Sequence, residues 1–469
     1  MQKKQKNHQQ KLIKLPQLAW MGFNYVLGMG FLITIFSVFN YTGLHSLWIL
    51  VLTGVIVAGS GLAFMRNAQV YSEVNGGAAE YNHRSFGTFM GWAVGFLQWT
   101  LGPIAASVNI LILLEFSFLN IIDPKVWGDY TNLYLRLISI LIYIILWLIV
   151  ISGIKHFKLV VNFVSGIKWL LMITVLISAI IIVAKSSGQN YFNLTEYGQL
   201  NAVNFNASFL LFFYGFAGFD SFVVMTKNVE NPKKSMPKAV LISIVGAGLF
   251  YIVALGLIIG TISGPIDGNN VNPINYLIAL AFGSGALVLS SLAQISSRLT
   301  TDIQTPLYIG SYVQGLAEQH YLPKYLQKIN PYTHLPQRAL VFNLILILLV
   351  AFIWLILPFF TNLQINDLQS GIKVYSIITL LVYVSVIASA LKLYFSKKIK
   401  MRWWELMLCI ISFLFLSAQV IIYFLQYKEN FNGIIMLIVI MLFIIIWYFI
   451  FIKTKYFNKS HKIKSTKVH

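Results

Sequence analysis

Long apolar runs separated by short polar stretches fill this chain from end to end. Twelve of them approach or exceed the ~20 residues that a helix needs to cross a hydrocarbon core of ~30 Å. They cover residues 18–40, 47–66, 88–118, 133–152, 159–184, 205–227, 238–262, 284–315, 338–358, 371–391, 405–426 and 432–452. Strands of a membrane barrel would alternate apolar and polar positions in ~10-residue pieces. These runs are too long and too continuous for that. The pattern predicts an all-α polytopic membrane protein with 12 transmembrane helices.

Two runs falter in the middle. The first holds "YVLGMGFLIT", with Gly28 and Gly30; the sixth holds "FFYGFAGFDS", with Gly215, Gly218 and then Asp220. Small residues in membrane helices often serve close packing, so either pair alone has an ordinary reading. Their placement adds a second one. The first and sixth runs are equivalent members of two five-helix halves, and paired interruptions at corresponding positions point to a midplane transport site. An unwound turn frees amides at a half-helix start, where the dipole favours an anion, and carbonyls that suit an ammonium group. A zwitterion with both groups on one carbon, an α-amino acid, fits such a site. Leu27, Gly28, Met29 and Gly30 would line the first break, with amides for the carboxylate. Tyr214, Gly215 and Ala217 would offer carbonyls to the amine, and Phe216 is either an aromatic lid or a core residue.

Composition agrees with the pattern: 58% of residues are hydrophobic and 10% charged, against ~25% charged in soluble domains. The net charge of +20 does not indicate nucleic acid, because the basic residues fall between apolar blocks rather than on one soluble face. They act as topology signals. Lys3, Lys4, Lys6, Lys11 and Lys14 at the head, Lys233, Lys234 and Lys238, then Lys397, Lys398, Lys400 and Arg402, and the tail from Lys453, all fall on one side if the N-terminus is inside. Lys125, Arg136, Lys185, Lys373 and Lys428 fall on the other. Both termini are expected in the cytoplasm and the protein in the plasma membrane. The single Cys409 leaves no internal disulfide framework, and no cleavable signal peptide is expected.

The segments that carry the breaks also carry a resemblance. "GMGF" resembles the G-x-G-[IF] of the amino acid–polyamine–organocation superfamily of permeases. "GFAGFDSFVVMTKNVENPKKSMPKAV" is similar to its F-x-G-F-[ED]…N-P-x-x-x-x-P motif, with Asn231, Pro232 and Pro237 in register. "GGAAEYNHRSFGTFMGWAVGF" and "AEQHYLPKYLQKINPYTHLPQRAL" resemble two further motifs in the expected order. The resemblance implies a 5+5 inverted repeat with discontinuous helices 1 and 6, plus two C-terminal helices. It divides the chain into a basic head (1–17), a first repeat (18–184), an extracellular loop (185–204), a second repeat (205–391), helices 11–12 (392–452) and a basic tail (453–469). Asn67 beside Arg66, Glu73, Asn228 and the run from Ala317 to His320 depart from the family pattern at positions of the cytoplasmic gate. Asp220 gives some resemblance to cationic amino acid transporters.

Ionisable residues inside apolar runs remain. Lys168 lies nine residues past Leu159, ~14 Å along a helix and close to the midplane. Family members with a lysine here resemble proton-coupled transporters; the alternative is a lysine bonded permanently to carbonyls and a hydroxyl, with Thr300 or Thr301 as partners. Arg298 and Asp302 are four apart on one helix face, as an ion pair or as a gate. Asp220 serves packing, gating or a basic substrate. No His/Cys set with metal-ligand spacing and no phosphate-binding loop is present, so neither a cofactor nor an enzyme reaction is expected. The expected function is amino acid import by alternating access, coupled to protons; an amino acid/polyamine exchanger is the alternative within transport, and a channel or membrane sensor the alternative outside it.

Overall fold

The computed structural model describes residues 13–71, 77–116, 131–188, 198–223, 229–262, 273–333, 335–360 and 368–453. The chain folds into α1 (Leu15–Val26), α2 (Met29–Thr42), α3 (His45–Val70), α4 (Ala78–Phe86), α5 (Thr88–Phe116), α6 (Thr131–Ser152), α7 (Ile154–Lys185) and α8 (Ala202–Phe216). There follow α9 (Phe219–Val223), α10 (Pro232–Ile259), α11 (Pro273–Phe282), α12 (Leu287–Glu318), α13 (Gln337–Ala351), α14 (Leu368–Phe395), α15 (Trp403–Leu425) and α16 (Tyr427–Trp447). Each predicted run overlaps a helix. Among the described residues the extended pairing is one parallel bridge, Ile13 to Val229. The predicted tail and most of the head lie outside the described residues.

Nine helices among the described residues are long and apolar enough to cross a membrane. The predicted runs outside that group are the first, sixth and eighth, for two physical reasons. The first is cut into pieces of 12 and 14 residues and the sixth into pieces of 15 and 5, each short of a span. The eighth, α12, has 32 residues but buries Gln294, Arg298, Asp302 and Gln304. Two helices, α4 and α11, lie in stretches where no apolar run predicts one.

Local chemistry sets several ends. Asn201 caps α8 by accepting the Asn204 amide at 2.8 Å, which satisfies a donor that has no helical partner. Beyond α13 the chain widens into a π-turn over Phe352–Ile356. There Arg136 of α6 donates to the Leu355 carbonyl at 2.9 Å and lies over the Phe359 ring.

Apolar side chains such as Leu170, Leu249 and Leu289 point outward. Where lipid replaces water, helix association rests on close packing and interhelical hydrogen bonds. Gly59 of α3 lies against Ser412 and the Leu408 carbonyl of α15, and Gly102 of α5 against Ile309 of α12. Arg66 of α3 binds Glu405 of α15 at 2.7 Å, while Asn67 donates to the Val386 carbonyl of α14 at 3.1 Å and accepts from Ser389 at 2.9 Å. Asn67, one of the departures from the family pattern, and its neighbour Arg66 are thus tied into the helix packing, whereas Glu73 and Asn228 lie outside the described residues. In the interior α1 packs on α10, α2 on α8, and α12 on α5 and α7; α12 also touches α2 and α9, which brings both interrupted segments next to the polar helix.

Candidate functional site at the two helix breaks

The first break has a simple geometry. The Leu27 amide still donates to Phe23 at 2.9 Å, and the Gly28 amide turns back to Val26 at 2.7 Å. Gly28 is then extended (ψ 170°), and α2 starts at Met29 with no side-chain cap. The first amides of α2 therefore lack helical acceptors, and the positive end of its dipole lies at the break. Leu27 is buried. Gly30 falls in the first turn of α2 rather than in the unwound stretch.

At the second break α8 stops at Phe216 and Ala217 becomes extended. Gly218 adopts φ +115°, and a Cβ there would come within 2.8 Å of the Tyr25 ring. Glycine is required twice over, by conformation and by the approach of α1. Of the predicted carbonyls, that of Tyr214 accepts the Ala217 amide at 3.2 Å. That of Gly215 accepts the Tyr251 hydroxyl at 2.7 Å. The same hydroxyl lies 2.9 Å from the Val26 carbonyl, so one buried side chain of α10 links the two breaks. Phe216 packs edge-on to Tyr251, with ring centroids 5.1 Å apart, and reaches towards Gly54 and Gly248. It is buried.

Lys168 is fully buried. Its Nζ donates to the Asn24 carbonyl at 2.5 Å and lies 3.1 Å from Asn24 Oδ1; Asn24 in turn donates to Ser165 at 2.9 Å. A cation thus satisfies a carbonyl in the last turn of α1, where both the dipole and the missing amide favour it. The expected hydroxyl partnership is not made: Thr300 donates to Ser296 on its own helix at 3.2 Å, and the Thr301 carbonyl accepts from Thr305.

Arg298 and Asp302 do not form the expected direct ion pair. The ion pairs among the described residues are Arg66–Glu405 and Arg84–Glu80. Instead Asn109 of α5 stands between them, accepting from Arg298 Nη2 through Oδ1 and donating to Asp302 through Nδ2 at 2.5 Å. Asp220, 3% exposed, accepts from Gln98 at 2.9 Å, Tyr383 at 3.1 Å and the Gly218 amide at 3.3 Å. It joins the sixth-segment break to α5 and α14.

Sequence reasoning missed Asn24, Asn109 and Tyr251. The two asparagines had a signal, each being an amide inside an otherwise apolar run. Tyr251 had none, because an aromatic residue in a membrane helix is ordinary.

The sequence profile of the family described as amino acid permease matches residues 13–446. The chain is 25% identical over 368 residues to cationic amino acid transporter 1 of Arabidopsis thaliana, covering 74% of this chain and 57% of that protein. It is 24% identical to the glutamate/serine transporter AimA of Bacillus subtilis, over 72% of this chain and 64% of the relative. An uncharacterized protein of Mycoplasma genitalium, MG225, is 25% identical over 66% of this chain and 65% of its own length. The match therefore spans somewhat less than two thirds of each of these relatives. With a family match that runs through both breaks and nearly the whole sequence, the chain belongs to the amino acid permease family.

Proposed function

We propose that the protein is a secondary active permease that imports amino acids by alternating access, coupled to protons. The observation that carries the reading is the pairing of two helix breaks, joined by Tyr251 and placed beside a buried lysine. In this reading residues 18–184 and 205–391 are the two inverted five-helix repeats, and 392–452 adds helices 11 and 12. The head, 1–17, and the tail, 453–469, face the cytoplasm, the 185–204 loop faces outward, and the protein sits in the plasma membrane.

The substrate carboxylate takes the amides around Leu27, Gly28, Met29 and Gly30 at the start of α2. The substrate amine meets the negative end of α8. Because the Tyr214 and Gly215 carbonyls have partners, Ala217 is the carbonyl assigned to it. Lys168 carries the coupling. As an ammonium it holds the last turn of α1 against α7; on losing its proton it loses both the charge and one donor, and α1 is freed to move.

Uptake of a radiolabelled amino acid panel into proteoliposomes, with and without a pH gradient, tests this. Substrate accumulation driven by an inward proton gradient is expected. Lys168→Ala should abolish the gradient-driven part while the protein remains folded. Uptake by that variant that still follows the pH gradient would overturn the coupling role, and failure of every amino acid to bind would overturn the transport reading.

A further inference from the structure

Among the described residues, the buried polar atoms without a hydrogen-bond partner include Arg298 Nε and Asp302 Oδ2. Arg298 is 4% exposed and Asp302 1%. They lie one turn apart on α12, and Thr305 continues the same stripe. Thr305 reaches Tyr25 of α1, 3.4 Å between hydroxyls. Besides this link to α1, α12 touches α2 and α9, so the helix that carries the stripe borders both broken segments.

Its chemistry is a matched pair held apart. Asn109 accepts from the guanidinium and donates to the carboxylate, while Arg298 Nε, a donor, and Asp302 Oδ2, an acceptor, remain without partners and the two charges balance. A charged substrate side chain would leave an excess buried charge, which is costly. An aliphatic one would leave both atoms unpaired, which costs free energy in a buried site. A carboxamide or a hydroxyl supplies an acceptor and a donor together.

We infer that Arg298 and Asp302, spaced by Asn109, read the substrate side chain and select neutral α-amino acids that end in a carboxamide or a hydroxyl. The inference rests on the substrate site proposed above and names its substrate class.

The test uses the full-length protein in proteoliposomes, with labelled glutamine as probe and unlabelled amino acids as competitors. Glutamine, asparagine and serine should compete at least about tenfold better than leucine, glutamate or lysine, as expected where a site pairs its polar groups with the substrate. Asp302→Asn leaves the guanidinium in excess and should shift the preference about tenfold towards glutamate; Arg298→Gln should shift it similarly towards lysine. If either variant fails to fold, the wild-type competition series still decides. Leucine competing as well as glutamine would show that the unpaired atoms hold only water, and the inference fails while amino acid transport stands. Labelled leucine, glutamate or lysine entering without glutamine has the same consequence. No amino acid entering at all overturns both readings.

Discussion

Gly218 shows how much one residue decides at a break. Its φ of +115° and the Tyr25 ring 2.8 Å from a would-be Cβ leave no room for a side chain. Gly218→Ala should cost about 1–3 kcal/mol through backbone strain, before the displacement of Tyr25 is added. A lower melting temperature in detergent, with transport reduced more than the loss of folded protein explains, is the expected result. Gly215 is less constrained, since its Cβ would meet Phe31 at 3.4 Å; Gly215→Ala should be the milder change in the same assay. Both glycines were visible in the sequence, but which of them needs a positive φ was not, because that depends on how α1 approaches.

At the scale of elements, the second break is held in place by Asp220, which receives donors from α5, α14 and the Gly218 amide. Asp220→Ala strands these donors, at about 1–3 kcal/mol each, and should abolish transport. Asp220→Asn should retain much of it: the Gln98 Oε1 has no partner, so the Gln98 amide can turn over and accept from the new carboxamide. Equal loss in both variants would instead indicate that the negative charge itself reads the substrate. A buried carboxyl in a membrane helix was legible as a special position from sequence. Its three donors come from residues 98, 218 and 383, and no local pattern joins those.

For the whole molecule, the distribution of basic residues predicts one orientation, and the single cysteine makes it measurable. Cys409 is fully buried and donates to the Gly59 carbonyl, so Cys409→Ala provides a background for labelling. In it, Lys373→Cys should react with an impermeant maleimide on intact cells. Ser465→Cys, in the tail outside the described residues, should react only after permeabilisation. The reverse pattern would overturn the proposed topology.

The sequence by itself determined the class of the protein and where its long apolar helices lie, because a hydrocarbon core accepts only segments that satisfy their own backbone, and that demand is written as continuous apolar length. Its paired glycines also marked both breaks, which fall at Gly28 and at Ala217 and Gly218, while Gly30 and Gly215 stay helical. Tertiary structure alone decided the partners. Lys168 meets Asn24 rather than Thr300 or Thr301, Asn109 separates Arg298 from Asp302, and Tyr251 joins the two breaks. A buried polar group must find a partner, but which one it finds depends on which helices stand side by side, and the apolar pattern along a single helix does not record its neighbours.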